Sequence, residues 1–211
     1  MSGPQVSSSI SVKGVVMESS TPVMTDFVEQ IYLREIIQQC EWAAGAFRRM
    51  ETVLKVAPPH VSEFFREASS FLQHTAAVSK MLWPGGEKDP ARSERAQRRG
   101  AHLRRSLGVE GHHPLKSRRL RDHIEHLDTR LDDWAESSTV LVDNFIGPRR
   151  SIGGNAVKES DILRNFDPDT GAYIVRGERF DIHALLRSVG SVHERALTRR
   201  GVLDGQFGAT S

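Results

Sequence analysis

The feature that most constrains this chain is a pair of long apolar stripes at helical spacing, each closed by a proline or glycine cluster. Ile36, Cys40, Ala43, Phe47, Met50 and Leu54 recur at steps of four and three, the period of one helix face. The pattern predicts a helix over 25–55, with Thr25 or Asp26 capping its start and Pro58-Pro59 ending it. Val61, Phe64, Ala68, Phe71, Thr75, Val78 and Leu82 keep the same spacing and predict a second helix over 61–82, stopped by Trp83-Pro84-Gly85-Gly86. Two such helices joined by a short connection pack as antiparallel neighbours.

A third, strongly basic helix is expected over 90–107. A fourth follows Pro114, over 115–136, with Leu120, Ile124, Leu127, Leu131 and Trp134 as its apolar stripe. After Ser138 the pattern changes. Thr139–Ile146, Asp161–Phe166 and Ala172–Val175 read as strands, and Asp167-Pro168-Asp169-Thr170-Gly171 between the last two is a turn signal, because Pro presets φ and Gly supplies a positive one. Phe180 to about Arg199 returns to a helical period. The predicted fold is mainly α: an antiparallel helical bundle, a small C-terminal antiparallel β-hairpin or three-stranded piece, and a final helix. The expected organisation is a disordered tail at 1–22, the bundle at 23–138, a hairpin-plus-helix appendage at 139–200 and a loose tail at 201–211.

Composition narrows the function classes. The 211 residues carry one cysteine, Cys40, so an internal disulfide and a cysteine-based zinc site are excluded. Cys40 sits on the first apolar stripe and reads as a small buried hydrophobe in a reducing compartment. No apolar run approaches the roughly 18–20 residues of a spanning helix. The expectation is a cytoplasmic protein that does not engage membranes.

The 29 Lys plus Arg nearly balance the 27 Asp plus Glu, for a net charge of +2. The average hides a split: residues 88–121 carry eleven cations against three anions, whereas 122–144 carry seven anions against Arg130. The basic block can attract a nucleic-acid backbone or pair with the acidic block, in this chain or in a dimer mate. No aromatic residue interleaves it, so a base-stacking platform is not indicated.

The two blocks meet at Arg121-Asp122-His123-Ile124-Glu125-His126. On one continuous helix Arg121, Asp122, Glu125 and His126 share the face opposite the apolar stripe, and Asp122 and His126 are i, i+4 neighbours. A guanidinium holds phosphate bidentately, and an imidazole exchanges protons near neutral pH. The competing interpretation is a solvated face laced with ion pairs. His112, His113, His123 and His126 lack a recognised metal-ligand spacing, so no metal and no cofactor are expected. His74 reads as a partly buried, satisfied histidine. Gly153-Gly154 lacks the Lys-Ser/Thr and context of a phosphate loop.

This stretch resembles the signature of the HEPN superfamily, an Arg, then Asn, Asp or His, then three residues and a His on a late helix of a bundle. FLQHTAAVSKMLWP followed by RLRDHIEHLDTRLDDW also resembles bacterial proteins with a HEPN-like bundle, so the likeness covers roughly residues 25–138. It implies a metal-independent endoribonuclease of toxin or phage-defence type, in which ribose 2′-OH attack cleaves RNA. Arg121 would stabilise the phosphate, His126 act as acid and base, and Asp122 orient them. Independently of the resemblance, Arg118, Arg119, Arg104 and Arg105 of the basic block, and Lys80 on the polar side of the second helix, are the candidate contacts to an RNA backbone. Implied partners are a second copy, docked through the fourth helix, and a separate antitoxin protein. The alternatives are a non-catalytic HEPN-like module that binds nucleotide, RNA or protein, and a structural dimer. Where some toxins of the family have a modifiable tyrosine two residues after the His, this chain has Asp128.

Overall fold

The computed structural model describes residues 24–109, 111–153 and 156–208. The tail expected at 1–22 lies outside them. Among the described residues six helices follow one another: α1 (Asp26–Leu54), α2 (Val61–Leu82), α3 (Pro90–Ser106), α4 (Arg119–Glu125), α5 (Leu127–Ser137) and α6 (Ile182–Gly208). Four short strands form one sheet: β1 (Phe145–Ile146), β2 (Arg164–Asp167), β3 (Ala172–Val175) and β4 (Glu178–Asp181), in the order β1-β2-β3-β4. The molecule is mainly helical, with a small sheet and a C-terminal helix, as the sequence indicates.

The first three helices follow their local signals closely. Thr25 caps α1, its Oγ1 accepting the Val28 N–H at 3.2 Å. Asp89 caps α3, its Oδ1 accepting the Ala91 N–H at 2.9 Å, with Pro90 at the first helical position. Their apolar stripes meet in one core: Leu33, Ile36 and Ala43 of α1, Phe64, Phe71 and Val78 of α2, and Leu103 of α3 are all fully buried. Cys40 lies among them at 1% exposure, and burial pushes its thiol up to about 12. It is therefore no nucleophile at neutral pH.

The sheet and α6 close this core from the other side. Phe166 and Tyr173 of the sheet and Val189, Val192 and Ala196 of α6 belong to the same buried cluster as α1 and α2. Strands β2, β3 and β4 form an antiparallel meander, and β1 adds in parallel to β2.

Four expectations need correction. The fourth helix is not continuous over 115–136. A 3-10 turn (Pro114–Lys116) precedes α4, and the helix breaks at His126, whose backbone sits at φ −121° and ψ 37°. Each half answers to a different neighbour. Leu120 of α4 enters the main core, whereas Trp134 of α5 donates its Nε1–H to the Asp161 carbonyl at 2.9 Å. As a result Leu127 and Leu131, expected in the core, are 39% and 41% exposed.

The second correction concerns the strands. Of Thr139–Ile146 only Phe145–Ile146 pairs as a strand, and Asp161 belongs to a 3-10 turn rather than to β2.

The third is β4, which the helical period from Phe180 conceals. Val175 pairs with Glu178 across a two-residue turn, Arg176-Gly177, with φ of 46° and 81°. Positive φ at both central positions is the tight hairpin turn that matches strand twist. Fourth, the tail expected from residue 201 is helical to Gly208, because Leu203 is fully buried in the core.

The turn signal before β3 is confirmed in detail. Gly171 ends the β2–β3 loop at φ +65°, and a Cβ there would meet His183 Cδ2 at 2.6 Å. Gly171→Ala is expected to cost about 1–2 kcal/mol, the ordinary penalty for a side chain in the left-handed region. Urea denaturation of the variant measures it, and an unchanged midpoint would contradict the strain.

Candidate functional site

The candidate site forms where α2 ends. The last carbonyls of a helix lack intrahelical donors, and its C-terminus carries partial negative charge. Here side chains from α3 and α4 fill that role. Arg104 donates to the Leu82 carbonyl, Arg121 Nη1 donates to the Trp83 carbonyl at 2.7 Å, and Gln97 Nε2 donates to the Pro84 carbonyl at 3.0 Å. The indole of Trp83 stacks on His113, ring centroids 5.2 Å apart.

This placement corrects the exposed face expected for Arg121. Arg121 is only 5% exposed. The helix wheel identifies the side of α4 away from the apolar stripe, but that side is covered by the turn between α2 and α3. Burial and the neighbouring Arg118 lower the Arg121 pKa, though a guanidinium keeps its charge.

Beside the helix end lies a cavity of about 320 Å³. Lys80, Arg99, Arg118 and Arg121 line it together with Glu87, Asp122 and Glu125, and Pro84-Gly85-Gly86 forms one wall. A Cβ added at Gly85 or Gly86 would meet nothing within 4 Å, so this wall is thin and open. Lys80 Nζ lies 2.9 Å from Glu125 Oε1, and that contact holds the Glu125 carboxyl below its usual pKa. Arg99 lies over the Tyr32 ring, its guanidinium carbon 5.0 Å from the centroid, a cation–π contact. It reaches the cavity from α3 already oriented.

The expected site residues therefore divide. Arg121, Asp122, Arg118 and Lys80 meet in this cavity. His126 is exposed at the α4–α5 break and is not part of the lining. Its backbone N–H donates to the Asp122 carbonyl at 3.1 Å, but among the described residues no hydrogen bond or ion pair joins the two side chains. Arg119 lines a different cavity, with Arg179. Arg104 is committed to Leu82, and Arg105 is exposed at the end of α3. Arg99 and the glycine wall are the additions. Both stood in the sequence as part of a basic run and a helix stop, and only packing brings them to Arg121.

Among the described residues no ion pair joins the basic block at 88–121 to the acidic block at 122–144. Lys80–Glu125 links the flanks, while α3 forms its ion pairs locally, Arg92–Asp89 and Arg98–Glu94. Among the described residues, the side chains of Asp128, Asp132, Asp133 and Glu136 on α5 have no ion-pair partner, and no helix is long and apolar enough to cross a membrane. No group of three or more His, Cys, Asp or Glu among these residues is placed to hold a metal ion. No family model, curated protein or solved structure matches the chain significantly.

Proposed function

We propose that the chain is an RNA-binding helical module that grips the phosphate backbone in the cavity at the end of α2. One observation carries this: Arg121 is buried, anchored through one nitrogen to the Trp83 carbonyl, and lines a cavity with Arg99, Arg118 and Lys80. A guanidinium immobilised in advance loses little freedom when it takes up a phosphate. The resemblance of 121–126 to the HEPN signature supports the same ligand class. Glu125 acts as a competitor, because it occupies Lys80 until phosphate displaces it.

The second reading is metal-independent RNA cleavage, with Arg121 stabilising the phosphate, His126 acting as acid and base, and Asp122 orienting them. The exposure of His126, five residues beyond Arg121, favours it. In that reading the protein is a cytoplasmic nuclease of toxin or phage-defence type, restrained by a separate antitoxin protein. A homodimer through α4 and α5 would complete the site, and the exposed Leu127 and Leu131 support such a contact.

Binding of a labelled RNA oligonucleotide, measured against salt in EDTA, separates these readings. Glu125→Gln is expected to tighten binding severalfold, and Arg121→Lys to weaken it about tenfold, the value of one charge-assisted hydrogen bond. Salt-dependent binding without cleavage supports the module. Products ending in 2′,3′-cyclic phosphate that vanish in His126→Ala establish the nuclease. RNA affinity indifferent to both substitutions at 121 and 125 overturns the site.

A further inference from the structure

A second cavity, of about 240 Å³, is lined by residues of α2, the 3-10 turn at Pro114–Lys116, α4, β4 and the start of α6. It shares the Arg121 side chain with the first cavity, but its remaining walls are chemically different. Leu115, Leu120, Phe180 and Leu185 supply an apolar lining. Arg119 and Arg179 are lining residues that are themselves solvent-exposed, so cationic side chains stand where the cavity meets water. Arg179 makes one contact, a 3.2 Å hydrogen bond to Thr170 Oγ1, and Arg119 has no side-chain partner among the described residues. The one carboxylate in the lining, Asp181, caps α6 by accepting the Ala184 N–H at 2.8 Å.

Thr75 is the decisive residue. It is fully buried, lines the cavity, and its hydroxyl has no hydrogen-bond partner among the described residues. An orphaned buried hydroxyl is costly and uncommon, and calls for an explanation. Neighbouring Ser79 is not in this position, because its hydroxyl donates to the Leu115 carbonyl.

We infer that this cavity is a binding site for a small organic acid, with its apolar body between Leu115, Leu120, Phe180 and Leu185, its carboxylate at Arg119 and Arg179, and a polar atom at Thr75. Size sets the class. An apolar cavity of about 150 Å³ takes benzene, and drug-sized ligands need roughly 300–1,000 Å³. The intermediate volume fits a single ring, or a short chain, bearing one acidic group. Sites of this kind are mostly apolar, with a few convergent polar groups.

Methyl-resolved NMR titration of the full chain with 3-phenylpropanoate tests the assignment, alongside 3-phenylpropanol, phenyl phosphate and inorganic phosphate. The carboxylate is expected to shift the Leu115, Leu120 and Leu185 methyls saturably, and the alcohol to bind at least tenfold more weakly. Phenyl phosphate binding tighter than the carboxylate would replace the carboxylate assignment with a phosphate one. Inorganic phosphate acting on these methyls as strongly as the carboxylate overturns the apolar subsite. Thr75→Val removes only the hydroxyl. It is expected to weaken the carboxylate about tenfold while leaving RNA affinity at the parent value and the free protein at least as thermally stable as the parent, because the unsatisfied hydroxyl is gone. Ala184→Leu, which fills the cavity, should abolish binding. No saturable shift with any probe, or full binding in Ala184→Leu, leaves a water-filled space and overturns the inference.

Discussion

Phe64→Ala is expected to lower stability by about 3–5 kcal/mol, the range for emptying a buried aromatic site. Phe64 is fully buried on α2 and holds together parts of the chain far apart in sequence. Its ring lies 4.7 Å from that of Phe166 on β2 and 5.3 Å, edge-on, from that of Phe65. The ring therefore joins α2 to the sheet. The loss should appear as one cooperative transition in urea, because the sheet and the bundle share this contact. Trp134 reports the docking of α5 on the 3-10 turn at Glu159–Asp161 through its bond to the Asp161 carbonyl, and circular dichroism reports the helices. Coincident curves, shifted together, are the expected result. Two separated transitions would show that the segments on either side of residue 138 unfold independently.

Glu29→Gln is expected to cost roughly 2–3 kcal/mol near neutral pH. Glu29 on α1 is 1% exposed, and its carboxylate accepts from Arg199 Nε and Nη2, both at 2.9 Å, and contacts His102 Nε2 at 3.0 Å. It therefore ties α1 to α6 and α3 through one group. Removing one member of a fully buried ion pair costs about 3–5 kcal/mol. The effect here is smaller, because Arg199 and His102 keep 29% and 31% of their side-chain surface in water.

The pH dependence follows from the shift. The hydrogen bond from Arg199, against the opposing effect of burial, lowers the Glu29 pKa to about 2. An unfolded Glu titrates near 4.3. A depressed carboxylate stabilises the fold above its unfolded pKa, and that contribution fades as pH falls through the folded one. The gap in melting temperature between wild type and Glu29→Gln should thus be fully present at about pH 5. It should narrow progressively below about 4.3 and nearly close near pH 2. A gap independent of pH would show that the variant acts through packing alone.

The long helices were legible because their signals are local and mutually consistent. The stripe from Val61 to Leu82 and the Trp83-Pro84 stop delimit α2 at the observed residues, and the Asp-Pro-Asp-Thr-Gly run lands on the β2–β3 turn. The region after Pro114 was less legible. A helical period continues through His126, and sequence spacing carries no mark of the two partners that pull α4 and α5 apart. Strand β4 escaped for a similar reason. Arg176-Gly177 was the available sign of a tight hairpin, but the apolar spacing from Phe180 favoured a helix.

The candidate site shows the same division. Arg121, Asp122, Arg118 and Lys80 were identified by residue type and spacing, and they converge on one cavity. That His126 stands apart from them follows from a backbone break, which a helical wheel assumes away. That Arg121 is buried follows from the carbonyl left free at Trp83, an acceptor supplied by a segment 38 residues distant in sequence.

By itself, then, the sequence determined the long helices, their caps and stops, and the polar residues available for chemistry, because these depend on neighbours within a turn or two of chain. The tertiary structure alone decided which of those residues share a cavity, which guanidinium is anchored, and where an orphan hydroxyl sits. Those outcomes depend on helix ends and side chains meeting across long separations, where local spacing carries no information.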